Sequence, residues 1–149
     1  MKKLLLLLTL IPLVGASQTF DEISSINNTD GFSRVMIENG FQRYSKDSLF
    51  VSYIFNPQGK GLNVKAERMG HWDIKNKEFV ISFFSDNFLG YSTYGKIIRS
   101  IKEKMEYIEI FEDHRGEWAL YLYEEKGVIL GFQKKDGWLM ILGIIINII

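Results

Sequence analysis

Val128-Ile129-Leu130-Gly131-Phe132-Gln133-Lys134-Lys135-Asp136-Gly137-Trp138-Leu139-Met140-Ile141-Leu142-Gly143-Ile144-Ile145-Ile146 carries the strongest structural signal in the chain. Two apolar, β-branched runs, Val128 to Gln133 and Trp138 to Ile146, flank Asp136-Gly137. That pair favours a tight hairpin turn because both residues tolerate positive φ. Upstream, Glu117 to Glu124 reads as a further strand ended by Lys126-Gly127, and Tyr107 to Phe111 as another ended by Asp113 to Gly116. The last third of the chain therefore predicts an antiparallel meander with short turns.

The first half repeats the theme. Ser48 to Asn56 places Leu49, Val51, Tyr53 and Phe55 on one face and Phe50 and Ile54 on the other. Asn56 to Gly61 is a turn by composition, and Leu62, Val64 and Ala66 then alternate with polar residues as a half-buried strand. His71 to Ile74 reads as a short strand and Glu78 to Phe84 as a longer one, with Lys75-Asn76-Lys77 between them.

Two segments have helical spacing instead. Phe20 to Phe41 carries Ile23 and Ile26, then Phe32, Val35 and Met36, with Thr29 or Asp30 as an internal cap and Gly40 at the C-terminal end. Thr93 to Met105 carries Ile97, Ile98, Ile101 and Met105 as one stripe, with Ser92 or Thr93 as its cap. The order predicts one α+β domain: two helical segments packed on an antiparallel sheet of six to eight strands. Each helix precedes an aromatic-led strand, which admits a duplicated helix-plus-meander unit. The expected core is Val35, Met36, Val51, Phe83, Ile97, Ile101, Trp118, Leu120, Leu130 and Trp138.

The N-terminus reads as an address. Lys2 and Lys3 precede the apolar run Leu4 to Val14, and Val14-Gly15-Ala16 offers small side chains for cleavage. This is the order of a secretory signal peptide, residues 1–16, leaving residues 17–149 as the mature domain. The run is shorter than the roughly 20 residues of a membrane helix. No membrane span is expected after cleavage, and the location expected is periplasmic or secreted. Removing the two leader lysines leaves 16 basic against 18 acidic residues, too even a balance to favour nucleic acid. With no cysteine in the chain, disulfides, thiolate metal sites and a cysteine nucleophile are excluded.

Chemical motifs are sparse. His71 shares a strand face with Asp73, and His114 lies in the turn Glu112-Asp113-His114-Arg115. Two separated histidines do not define the three-ligand set of a catalytic zinc, so no metal and no other cofactor is expected. No Gly-x-Ser-x-Gly elbow occurs, and Gly59-Lys60-Gly61 lacks the first glycine and the hydroxyl of a phosphate loop. No catalytic residue is assigned. The aromatic excess points elsewhere: Tyr121 and Tyr123 alternate with Trp118, Leu120 and Leu122 on one strand. With the tryptophan row under the helices, the tyrosines line the opposite face, where amphipathic rings suit a protein or carbohydrate partner.

The segment Ile23-Ser24-Ser25-Ile26-Asn27, with Phe32 and Ile37-Glu38-Asn39-Gly40-Phe41, resembles the start of small exported proteins of the Bacteroidota, as does Ala16-Ser17-Gln18-Thr19-Phe20. The resemblance covers the leader and first helical segment. It implies a Gram-negative periplasmic or secreted location and carries over no activity and no site residues. The function expected is a non-enzymatic binding module offering a sheet face or edge strand. The alternative is a small exported hydrolase using carboxylates, with His114 beside Glu112 or Asp113. The apolar end, Ile144 to Ile149, either completes the sheet or forms a sticky edge.

Overall fold

A computed structural model of the protein describes residues 18–59, 65–86 and 88–146. The expected leader with Ser17, and Asn147 to Ile149, lie outside the described residues, as do Leu62 and Val64 of the strand expected there. Lys65 forms an isolated bridge with Gln58 across the preceding turn, and Ala66 and Glu67 belong to no strand.

The first helical segment is two helices, α1 (Phe20–Ser24) and α2 (Thr29–Glu38). Thr19 and Glu22 cap α1 reciprocally, satisfying backbone donors that the first turn leaves open. Asn28, not Thr29 or Asp30, caps α2 by accepting from the Gly31 N–H at 2.8 Å. Gly40 (φ 79°) ends α2 in the left-handed region, with Phe41 N–H bonded to Met36 O and Gly40 N–H to Ile37 O. That paired closure is a Schellman motif.

Four strands follow: β1 (Gln42–Lys46), β2 (Phe50–Phe55), β3 (Arg68–Asp73) and β4 (Glu78–Phe84). α3 (Phe88–Lys104) starts before the Ser92/Thr93 cap expected for it. Four more strands complete the chain: β5 (Glu106–Asp113), β6 (Gly116–Tyr123), β7 (Val128–Lys135) and β8 (Trp138–Ile145). Asp136 (φ 51°) and Gly137 (φ 79°) both take positive φ, as a twist-matched hairpin turn requires. The sheet order is β1-β2-β3-β4-β8-β7-β6-β5, and every ladder is antiparallel. Helix followed by four-strand meander thus occurs twice, and the last strands of the two meanders, β4 and β8, meet at the centre. The C-terminal strand completes the sheet through Ile145, with no edge exposed along it.

The helices cover one face. Phe32, Val35 and Met36 of α2, and Ile97 and Ile101 of α3, are buried against Val51, Tyr53, Trp72, Phe79, Ile81, Phe83, Leu130 and Ile141. Each fully buried side chain of this kind contributes roughly 1.5–3 kcal/mol. The fit is close at Gly143, where an added Cβ would come within 2.1 Å of the Phe79 ring. Nine of the ten expected core residues are buried; Trp138 is half-buried beside Phe84, because it opens β8 on the face away from the helices.

One face assignment is reversed. Trp118 and Leu120 point away from the helices and form a second cluster with Leu142, flanked by Val80, Ile129, Met140 and Ile144. Tyr121 and Tyr123 are on the helix side: Tyr123 stacks on Phe20 of α1 at 5.7 Å and Tyr121 on Phe132 at 5.7 Å. Alternation separates the two rows of a strand but says nothing of which row the helices cover. Here the pairing of Tyr121 with Leu130, a member of the helix-side core, decides it.

Candidate functional site

Trp118 is fully buried on a face that none of the described helices covers. The cover is the turn between β5 and β6. Asp113 accepts from the backbone N–H of Arg115 at 2.8 Å, which tightens the turn, and from the Trp118 indole N–H at 3.1 Å. The Arg115 Nε donates back to Asp113 at 2.7 Å, and its guanidinium lies over the Trp118 ring at 5.4 Å. Lys135 Nζ donates to the Arg115 carbonyl at 3.0 Å and holds the turn from β7.

The same guanidinium reaches a distant strand. Arg115 Nη1 lies 3.5 Å from Glu78 Oε1 at the start of β4. Along the ladders, Glu78 is level with Ile144, Ile129 and Leu122, whereas Arg115 lies seven residues before Leu122. In a flat sheet those positions would be separated by about 23 Å along the strands and about 14 Å across them. An arginine side chain cannot bridge that separation. The sheet is therefore coiled, and the β5–β6 hairpin arches diagonally over the face opposite the helices. A bulge between Tyr107 and Glu109 provides extra bend in β5.

The arch encloses a half-open cleft of about 450 Å³. One wall is the β3–β4 turn with His71, Asp73, Asn76 and Glu78; the other is His114 and Arg115; Val80 lies between. His71 is fixed by the Ser52 hydroxyl, 2.7 Å from its Nδ1, and by the Phe50 ring stacked on it at 4.9 Å. Asp73 accepts from the Asn76 backbone at 2.9 Å and from its side-chain amide at 2.8 Å, which shapes the turn. At the β1–β2 turn, Asp47 accepts from the Leu49 and Phe50 N–H groups, which hold its carboxyl below the usual range; nearby His71 adds a smaller pull.

Asp113 is the electrostatic anchor. Burial pushes its carboxyl up, but the Arg115 and Trp118 hydrogen bonds and the Arg115 charge outweigh burial and bring it down to about 2. A depressed carboxyl contributes stability above its ordinary value of 3.8, and that contribution is lost as pH falls through about 2. Urea midpoints measured across this window should therefore fall less in Asp113→Asn than in the wild type. Parallel pH dependence in the two proteins would contradict the anchor role.

The two histidines thus share one cleft, although they are far apart in sequence. Arg115 and Glu78, the residues that bring them together, were not singled out by any motif. An Asp-x-Arg turn signals a local bend, while its long-range partner depends on the coil of the sheet. Tyr121 and Tyr123 are half-buried and taken up by packing beneath α1 and α3. Glu112 is exposed at the hairpin. Among the described residues no group of three or more His, Asp or Glu side chains is placed to hold a metal ion. Among them, too, no helix is long and apolar enough to cross a membrane. The chain matches no protein-family model, no curated protein and no solved structure.

Proposed function

We propose that the protein is an exported, non-enzymatic binding module that takes a small polar ligand in the cleft under the β5–β6 arch. The observation that carries this reading is the convergence of His71, Asp73 and Glu78 with His114 and Arg115 around one cavity beside an apolar floor. A largely preformed concavity with a few fixed polar groups is the usual form of a small-molecule site. The leader supports export.

Binding is favoured over hydrolysis by the state of the carboxylates. Asp73 is engaged by Asn76, and Glu78 by Arg115. Asp113 is held ionised by Arg115 and Trp118. A general acid must keep its proton near the working pH, which Asp113 at about 2 does not. The carboxylates outnumber the single guanidinium, whose charge Asp113 and Glu78 already share. The site therefore suits a ligand that brings an amine, and the Phe50 and His71 rings offer it an aromatic wall.

Titrating the ¹⁵N-labelled mature protein with lysine, choline and spermidine, and with acetate and phosphate as controls, tests this. Saturable shifts should centre on His71, Asn76 and His114, appear with the amines alone, and vanish in Arg115→Ala. Shifts scattered over the surface, or unchanged in Arg115→Ala, would overturn the assignment.

A further inference from the structure

The two ends of the sheet carry opposite charge. Edge strand β5 contains Glu106, Glu109, Glu112 and Asp113 and no basic residue. Its apolar side chains are also in water: Tyr107 is 52% exposed and Ile110 57%. At the other edge, β1 carries Arg43 and Lys46 and no acid, with all five residues exposed and Tyr44 at 56%. Neither strand has an outer neighbour among the described residues. A long edge strand with exposed apolar side chains is a template for another strand.

We infer that β5 of one copy pairs with β1 of a second copy, extending the sheet head to tail. Charge complementarity selects this occupant: pairing β5 with itself would set the exposed Glu106, Glu109 and Glu112 against their own copies, Asp113 being held by Arg115, whereas β1 brings a guanidinium and an ammonium. Topology agrees. With eight strands joined by antiparallel ladders, β1 and β5 run in opposite directions. A second copy with its helices on the same face therefore presents β1 antiparallel to β5. Beyond its bulge, Glu109 to Asp113 is five residues long, the length of β1, which has a register shift of its own between Arg43 and Ser45. The contact is heterologous, so it propagates into a ring or a filament.

Charge reversal on the full mature chain tests this by sedimentation velocity. The wild type should form species above monomer that grow with concentration and disperse between about 20 mM and about 500 mM salt, as exposed charges are screened. Arg43→Glu/Lys46→Glu and Glu109→Lys/Glu112→Lys should each be monomeric with the wild-type thermal midpoint, and mixing them should restore assembly. A wild type that stays monomeric, or assembles regardless of salt, would overturn the inference. So would either variant assembling alone, or a mixture that stays monomeric.

Discussion

Trp118→Ala is expected to lower the unfolding free energy by about 3–5 kcal/mol, the range for truncating a buried aromatic in a well-packed core. The ring is fully buried, although it lies on the face opposite α1, α2 and α3. Its loss removes the apolar contact with Leu120 and Leu142, the surface under Arg115 and an indole donor to Asp113. The hairpin should loosen over the cleft as well, so amine-dependent shifts at His71 and His114 should disappear together. Urea denaturation gives the first quantity and the titration the second. A variant with an unchanged urea midpoint would show that the face opposite the helices is no second core.

Phe32→Ala should cost a similar amount, about 3–5 kcal/mol, but leave the cleft intact in the folded fraction. Phe32 is fully buried and is the ring through which α2 grips the sheet. It lies 5.8 Å from Tyr53, 5.7 Å from Trp72 and 5.9 Å from Phe79, on β2, β3 and β4. Ala leaves a cavity that the surrounding rings cannot fill without leaving their own positions. The urea midpoint measures the loss, and the titration of the folded protein should retain its saturable shifts. The contrast between Phe32 and Trp118 separates the two cores by function: one holds helices to the sheet, the other holds the arch to its floor.

Much of this architecture is legible from local signals. The Ile97/Ile101 stripe, the Gly40 stop and the Asp136-Gly137 turn each specify their element through interactions within a few residues. Alternation from Leu62 to Glu67 predicts a strand, but within the described residues Ala66 and Glu67 belong to none; Glu67 instead bonds through its backbone to Phe55 and Phe84. The side of the sheet taken by Trp118 could not be read from β6 alone, because both rows of that strand are apolar or aromatic. His71 and His114 looked separate for a related reason. What joins them is the coil of an eight-stranded sheet, a property of the whole ladder, together with the Arg115–Glu78 contact across it.

The arch of β5–β6 over the open face is the claim on which the cleft, the second core and the binding reading all depend. Nuclear Overhauser contacts from the Arg115 side chain in the chain of residues 17–149 test it directly. Contacts to Glu78 across the face, alongside those to Asp113 and Trp118 within the hairpin, are the predicted result. An Arg115 whose contacts stop at its own hairpin and the neighbouring Lys135 would mean that the sheet lies open and the two histidines do not share a site.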